Sequence, residues 1–180
     1  MAEPLTPSQI DAVLQLSDEE LLKVCELDFI RTGGPGGQKR NRTSSAVRLY
    51  HSQTGMTALA SESRSQHENR KRAIRRMRWK IALEAPRFIE EGNYQPSDVW
   101  VEMVSKDGQI HFGPKDARYP MLAAHLLDLL SVSKGRLSEA ANLVGLSTGQ
   151  FSRLLTRHED LLTAANRIRR GYDLHPLRGR

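Results

Sequence analysis

Residues 32–38 read Thr32-Gly33-Gly34-Pro35-Gly36-Gly37-Gln38, with four glycines and one proline between Thr32 and Gln38. Glycine loses the most backbone entropy in regular structure and tolerates angles that other residues avoid. This run is therefore neither a helix interior nor a central strand. Pro35 fixes its own φ and offsets part of that freedom. The product is a bare backbone loop with one amide side chain at its tip, Gln38, and with Lys39, Arg40 and Arg42 behind it. It lacks the Gly-Lys-Ser/Thr ending of a P-loop. Gln-Lys-Arg-Asn-Arg also follows it, instead of the small apolar residues that open a dinucleotide-binding helix. Glycine clusters often only punctuate structure, so the flanks decide what the loop is.

Upstream, a short helix is predicted over Pro7–Leu14. Ser17-Asp18-Glu19-Glu20 then supplies a hydroxyl cap with Glu three residues on, starting a helix that runs to about Cys25. Leu27–Arg31 alternates in part and reads as a strand feeding the loop. Downstream, Val47–His51 and Met56–Ala60 flank Ser52-Gln53-Thr54-Gly55 and read as a β-hairpin. Arg48 and Tyr50 share one face; Val47, Leu49 and His51 share the other. His51 reads as a packing residue, because no Ser or Cys stands with it as a nucleophile–base pair.

The longest helix is predicted from Ser63 to about Glu84. Ile74, Met77 and Ile81 form its apolar stripe. Arg70, Lys71, Arg72, Arg75, Arg76, Arg78 and Lys80 surround that stripe, more cations than a solvated face requires. Trp79 lies off the stripe and reads as cover for a second core edge. Pro86 and Glu91-Gly92-Asn93-Tyr94-Gln95-Pro96 mark a linker. Val99–Val104 and Ile110–Phe112 read as a second hairpin turning through Lys106–Gln109. A helix follows over Leu122–Leu130. Ser138–Ser147 with Phe151, Leu154 and Leu155 then resembles a helix-turn-helix, with Gly145 in the turn and Ser147 as a cap. From Asn166 onward, Arg167, Arg169, Arg170, Arg178 and Arg180 form a basic tail. The fold class is α+β: a small β-sheet packed on a long basic helix, with a C-terminal helical, helix-turn-helix-like segment.

From Phe29 to about Ala82 the chain resembles the catalytic domain of class I peptide chain release factors and their ribosome-rescue relatives. The matching residues are Gly36-Gly37-Gln38, Asn41, Ser45-Ala46-Val47-Arg48-Leu49, His51, Thr54-Gly55 and Ser63-Arg64-Ser65-Gln66-His67-Glu68-Asn69-Arg70. Gly-Gly-Gln alone is weak; three blocks in this order form a specific match. Lys39-Arg40 departs from the His-Val that terminating members usually carry. The resemblance divides the chain into a Gly-Gly-Gln hydrolase domain over residues 1–92, with an acidic helical start, and a region over 93–180. The second region holds the linker, hairpin, helix-turn-helix-like helices and tail.

Charge agrees with an RNA partner. The chain of 180 residues carries a formal +6, unevenly placed. Residues 1–30 hold one Lys against seven Asp/Glu, residues 31–90 fourteen Lys/Arg against four, and residues 91–180 twelve against ten. Such a basic middle points to a polyanion. Arg48, Arg64, Gln66, Arg70, Lys71, Arg75 and Arg78, with Lys39, Arg40 and Arg42 and the tail's Arg167, Arg169 and Arg170, are the candidate RNA contacts. No apolar run is long enough to span a bilayer, and no export or organelle address is visible. The single Cys25 cannot form an internal disulfide, so a reducing cytoplasm is the natural setting.

The resemblance implies hydrolysis of the ester between a nascent peptide and P-site tRNA at the peptidyl transferase centre of the large ribosomal subunit. The main-chain N–H of Gln38 would stabilise the oxyanion, and Gly36 and Gly37 would permit its backbone path. Partners would be peptidyl-tRNA and ribosomal RNA, and the protein itself a monomer. No metal or cofactor is called for. Short rescue members act without reading a codon, and this chain, with little room for decoding domains, fits that design. The alternatives are an RNA- or DNA-binding helix-turn-helix regulator without hydrolase activity and a hydrolase of free peptidyl-tRNA.

Overall fold

Two capping boxes set the start of the chain. The Thr6 hydroxyl accepts from Gln9 N–H while the Gln9 amide oxygen accepts from Thr6 N–H, which fixes α1 (Pro7–Gln15). Ser17 and Glu20 repeat the exchange for α2 (Asp18–Lys23), whose first turn is acidic as the helix dipole favours. The computed structural model describes residues 3–30, 45–89, 94, 98–104, 110, 113 and 115–179.

The sheet has three antiparallel strands in the order β1 (Cys25–Ile30), β2 (Ala46–His51), β3 (Met56–Ala60). The register pairs Ile30 with Ala46 and Cys25 with His51 on one side of β2, and Val47 with Ala60 on the other. Val47, Leu49, Ala58 and Ala60 are buried, whereas Arg48 and Leu59 face outward, the alternation expected of a half-covered sheet. Its covered face lies against α3 (Gln66–Glu84), which packs on β2 and β3. Ser65 caps α3 by accepting from Glu68 N–H. Ala73, Ile74, Met77, Ile81 and Ala82 form its buried stripe. At the β2–β3 turn, His51 is 1% exposed, with Nδ1 2.8 Å from the Thr54 hydroxyl oxygen. Burial pushes its imidazole below the ordinary histidine value, so it packs and closes the turn.

After α3 the chain is clamped to its own beginning. Leu5 N–H donates to Pro86 C=O and Phe88 N–H donates to Leu5 C=O, both at 2.9 Å. The hairpin expected at Val99–Val104 is not formed: residues Asp98–Met103 are helix α4. Trp100, Met103 and Val104 stand at i, i+3 and i+4, and burying that set together favours a helix over the local β preference of valine. Of the rest of that hairpin, residues 105–109, 111 and 112 lie outside the described residues.

Helix α5 (Tyr119–Val132) is the axis of the second half, with eleven buried residues from Tyr119 to Leu130. A helix apolar on every side is a core helix. It contacts α1 and α3 as well as α6 (Leu137–Asn142), α7 (Thr148–Leu155) and α8 (Glu159–Arg170). Its two buried polar residues have partners on other elements: His125 Nε2 is 3.2 Å from Asp11 of α1, and Asp128 is 3.1 Å from the Arg87 guanidinium. Burial raises the Asp128 carboxyl, and Arg87 and His125 oppose that rise. Between α6 and α7, Gly145 takes φ 68°, the left-handed angle a tight reversal needs. Ser147 and Gln150 then form a third capping box. The run read as a tail begins as structure: Arg167, Arg169 and Arg170 occupy the last turn of α8. The following residues fold back, with Asn166 and Leu177 exchanging two hydrogen bonds of 3.0 and 2.7 Å.

Candidate nucleic-acid interface

The segment holding Gly36, Gly37, Gln38, Lys39, Arg40 and Arg42 lies outside the described residues, but its two feet do not. Ile30 and Ala46 pair across β1 and β2, so the intervening segment leaves and re-enters the sheet at one end. A single amide fastens that end. Asn69, 0% exposed, donates from Nδ2 to Ser45 C=O at 2.7 Å and to Ser63 C=O at 2.8 Å. Its Oδ1 accepts from Ser63 N–H at 2.9 Å. One side chain thereby ties the loop's foot, the β3–α3 connection and the first turns of α3. Such a buried polar hub is costly to disturb, because each lost partner leaves a backbone group unsatisfied.

The candidate cations divide into those that are free and those already engaged. Arg70 sits 5.8 Å over the Phe29 ring, a cation–π contact beside the foot. Arg48 pairs with Asp28 at 2.6 Å on the outer sheet face. Arg78, only 13% exposed, donates to Leu14 C=O and Asp18, so it joins α3 to α1 and α2. Arg76, with the Leu59 carbonyl and Glu62, is similarly occupied. Arg64, Lys71 and Arg75 are exposed and, among the described residues, have no acidic partner within ion-pair distance. Gln66 is exposed at the start of α3. The structure thus gathers Arg64, Gln66, Arg70 and Lys71 near the loop's foot.

The other candidates are elsewhere. Trp79 lies ten residues beyond Asn69 on α3, about 15 Å along its axis. There α8 crosses: Trp79 Nε1–H donates to Asp160 at 2.9 Å. Arg167 shares a cavity with Trp79. Arg169 is turned inward, donating to the carbonyls of Gly135 and His175. Gly135, at φ 77°, is so close to the tail that a Cβ there would meet Leu174 at 3.0 Å. Arg170 is exposed.

Two features escaped the sequence reading. In the sequence Asn69 stands only as part of a block, and its hub depends on long-range partners. The groove around Trp79 arises because α8 packs on α3. The cue that could have found α8 was available: Leu161, Ala164, Ala165 and Ile168 at helical spacing, acids in the first turn and arginines in the last. Cys25 is half-buried and its thiol is raised by burial, the opposite of an activated nucleophile. No helix among the described residues is long and apolar enough to cross a membrane.

The family model described as the RF-1 domain matches residues 13–109. Among curated proteins, the chain is similar to peptide chain release factor 1 of Caldicellulosiruptor bescii, 40% identical over 75 residues, covering 42% of this chain and 20% of that protein. It is similar to the mitochondrial peptide chain release factor 1 of Arabidopsis thaliana, 41% identical over 71 residues, 39% of this chain and 16% of that protein. With peptide chain release factor 1 of Rickettsia massiliae it is 32% identical over 112 residues, 62% of this chain and 27% of that protein. The matched stretch thus spans a minor share of these relatives. No solved structure matches the chain.

Proposed function

The chain belongs to the RF-1 domain family, that of the class I peptide chain release factors, and from this we propose that it hydrolyses the peptidyl-tRNA ester on the ribosome. The observation that carries the reading is the Gly36-Gly37-Gln38 run set between the paired ends of β1 and β2. Attack of water on an ester places negative charge on the carbonyl oxygen, and a pre-aimed backbone N–H stabilises it. In this reading the Gln38 main-chain N–H is that donor. Its side-chain amide shapes the pocket for water, and Gly36 and Gly37 allow the backbone to reach the ester. Asn69 holds the foot from which the loop is aimed. Arg64, Arg70 and Lys71 at that foot, with Lys39, Arg40 and Arg42, meet RNA phosphates, which makes binding strongly salt-dependent.

We further read the release as codon-independent, serving the rescue of stalled ribosomes in the cytoplasm, with the protein acting as a monomer. Beyond the matched residues 13–109 the chain continues as α5–α8, whose last turn is basic. In this reading residues 1–92 carry the chemistry, and residues 93–180, with their helix-turn-helix-like α6 and α7, direct it to the ribosome. The test is release of labelled peptide from stalled ribosomal complexes with and without mRNA in the A site. The wild type should release peptide in both, and Gly37→Ala should lower the rate ~100- to 1,000-fold. Equal release by the two proteins removes the catalytic assignment. Release that demands a stop codon removes the rescue assignment.

A further inference from the structure

Away from the loop, two cavities adjoin between α3 and α8, and both are lined by Trp79 and Asp160. The larger, about 740 Å³, also has Arg75, Lys115, Tyr119 and His158 in its wall. The smaller, about 260 Å³, has Arg167. The larger falls within the usual range of small-molecule clefts, roughly 300–1,000 Å³.

The Trp79 ring is held in place. Tyr119, itself 2% exposed, stacks on it at 5.6 Å between centroids and 22° between planes. His158 meets it edge-on at 4.6 Å, and Asp160 accepts its indole N–H at 2.9 Å. What remains of the ring lines both cavities. A fixed aromatic ring whose uncovered part borders open space suits a flat heterocycle better than an aliphatic chain.

Charge around this ring is mixed: Asp160, which accepts the indole N–H, lines both cavities, and the exposed Glu84 lines the smaller. Asp18 is engaged by Arg78, and Asp116 by Arg118, which holds its carboxyl at about 2. Arg75, Lys115 and Arg167 are exposed and, among the described residues, have no carboxylate within ion-pair distance. Arg75 and Lys115 thus stand in the larger cavity and Arg167 in the smaller, with the aromatic ring common to both. That is the arrangement of a single-stranded nucleic-acid groove, a stacking platform flanked by phosphate contacts.

We propose that the groove between α3 and α8 binds single-stranded RNA, one base stacking on Trp79 and the flanking phosphates meeting Arg75 and Lys115 on one side and Arg167 on the other. The site needs neither Gln38 nor a ribosome, so it stands or falls separately from the hydrolase reading. Two adjoining cavities that share the ring favour a strand over a lone nucleotide, which would occupy one of them.

The test is fluorescence titration of the full chain with short oligouridylate and oligoadenylate, with AMP and with duplex RNA, at low and at moderate salt. The other tryptophan, Trp100, is 4% exposed in the core, so quenching reports Trp79. The oligonucleotides should quench saturably, weakening as salt rises. A labelled oligonucleotide followed by anisotropy should bind Trp79→Leu about ten- to a hundredfold more weakly. Because Trp79→Leu also alters packing, the exposed pair Arg75→Glu/Arg167→Glu serves as the second variant. It should melt like the wild type and bind roughly tenfold more weakly or worse. Absence of saturable quenching overturns the proposal, as does unchanged binding by the charge-reversed protein. AMP binding as tightly as the oligonucleotides overturns the strand assignment, and duplex RNA binding as tightly overturns the base-stacking assignment.

Discussion

At its first turns α3 is fastened by one buried amide, Asn69, reaching Ser45 and Ser63; ten residues later it is fastened by rings, with Trp79 against Tyr119 and His158. The first fastening is directional, and it stands where β2 begins, at Ser45. The second buries area and leaves a groove. Arginines at the two places also differ in what they do. Near the foot, Arg64 and Lys71 are exposed, and Arg70 covers Phe29. Farther along, Arg76 and Arg78 serve the fold, and Arg75 is exposed with no acidic partner among the described residues. The number of cations on a helix therefore does not measure its RNA-binding surface; their partners have to be known first.

The largest stability effect should come from the apolar half. Phe151 on α7 is 0% exposed, and Phe151→Ala should cost about 3–5 kcal/mol through the cavity it leaves. Chemical denaturation at constant m-value would measure this; a loss under 1 kcal/mol would mean that half is not held by packing. Asn69→Ala should cost about 3 kcal/mol, since it leaves Ser45 and Ser63 backbone groups unpaired. If the hub aims the loop, peptide release by the still-folded fraction should fall as well, which no variant of the ring fastening should reproduce. Ser147→Ala, removing the cap of α7, should cost about 1 kcal/mol with release unaffected.

The smallest effect is a pH dependence at the sheet. The His51 imidazole is depressed by burial, so below its ordinary value of 6.5 the unfolded chain binds a proton that the folded chain does not. Its contribution is complete above that pH and is lost as pH falls, by at most about 1.4 kcal/mol per pH unit. Melting of wild type and His51→Asn between neutral and mildly acidic pH should show the steeper acid loss in the wild type. Parallel curves would place the acid sensitivity elsewhere. Asp128 bears on the same experiment with the opposite sign, since burial raises its carboxyl and favours the fold at low pH; the comparison of two proteins cancels it.

The two halves of the molecule were unequally legible in the sequence. The sheet, α3 and the caps at Ser17 and Ser147 are announced by local signals: alternation, a Gly55 turn, an apolar stripe, a hydroxyl followed by Glu or Gln. The α4 segment reads as a strand because Val99, Val101 and Val104 favour strands, whereas the neighbours that bury Trp100 and Met103 are distant in sequence. α8 goes unread because its last-turn arginines look like the start of a basic tail. The Asp11–His125 and Arg87–Asp128 contacts join residues far apart in the chain, and no spacing rule points to them. Of the candidate site, Gly-Gly-Gln and its flanking blocks could be read, but not which arginines the fold would occupy.

The most direct measurement is single-turnover release of labelled peptide from stalled ribosomal complexes by the wild type and Gly37→Ala. Rapid release by the wild type and a ~100- to 1,000-fold slower rate for Gly37→Ala at saturating protein would bear the account out. Peptide released equally fast by Gly37→Ala, or not at all by the wild type, would contradict it.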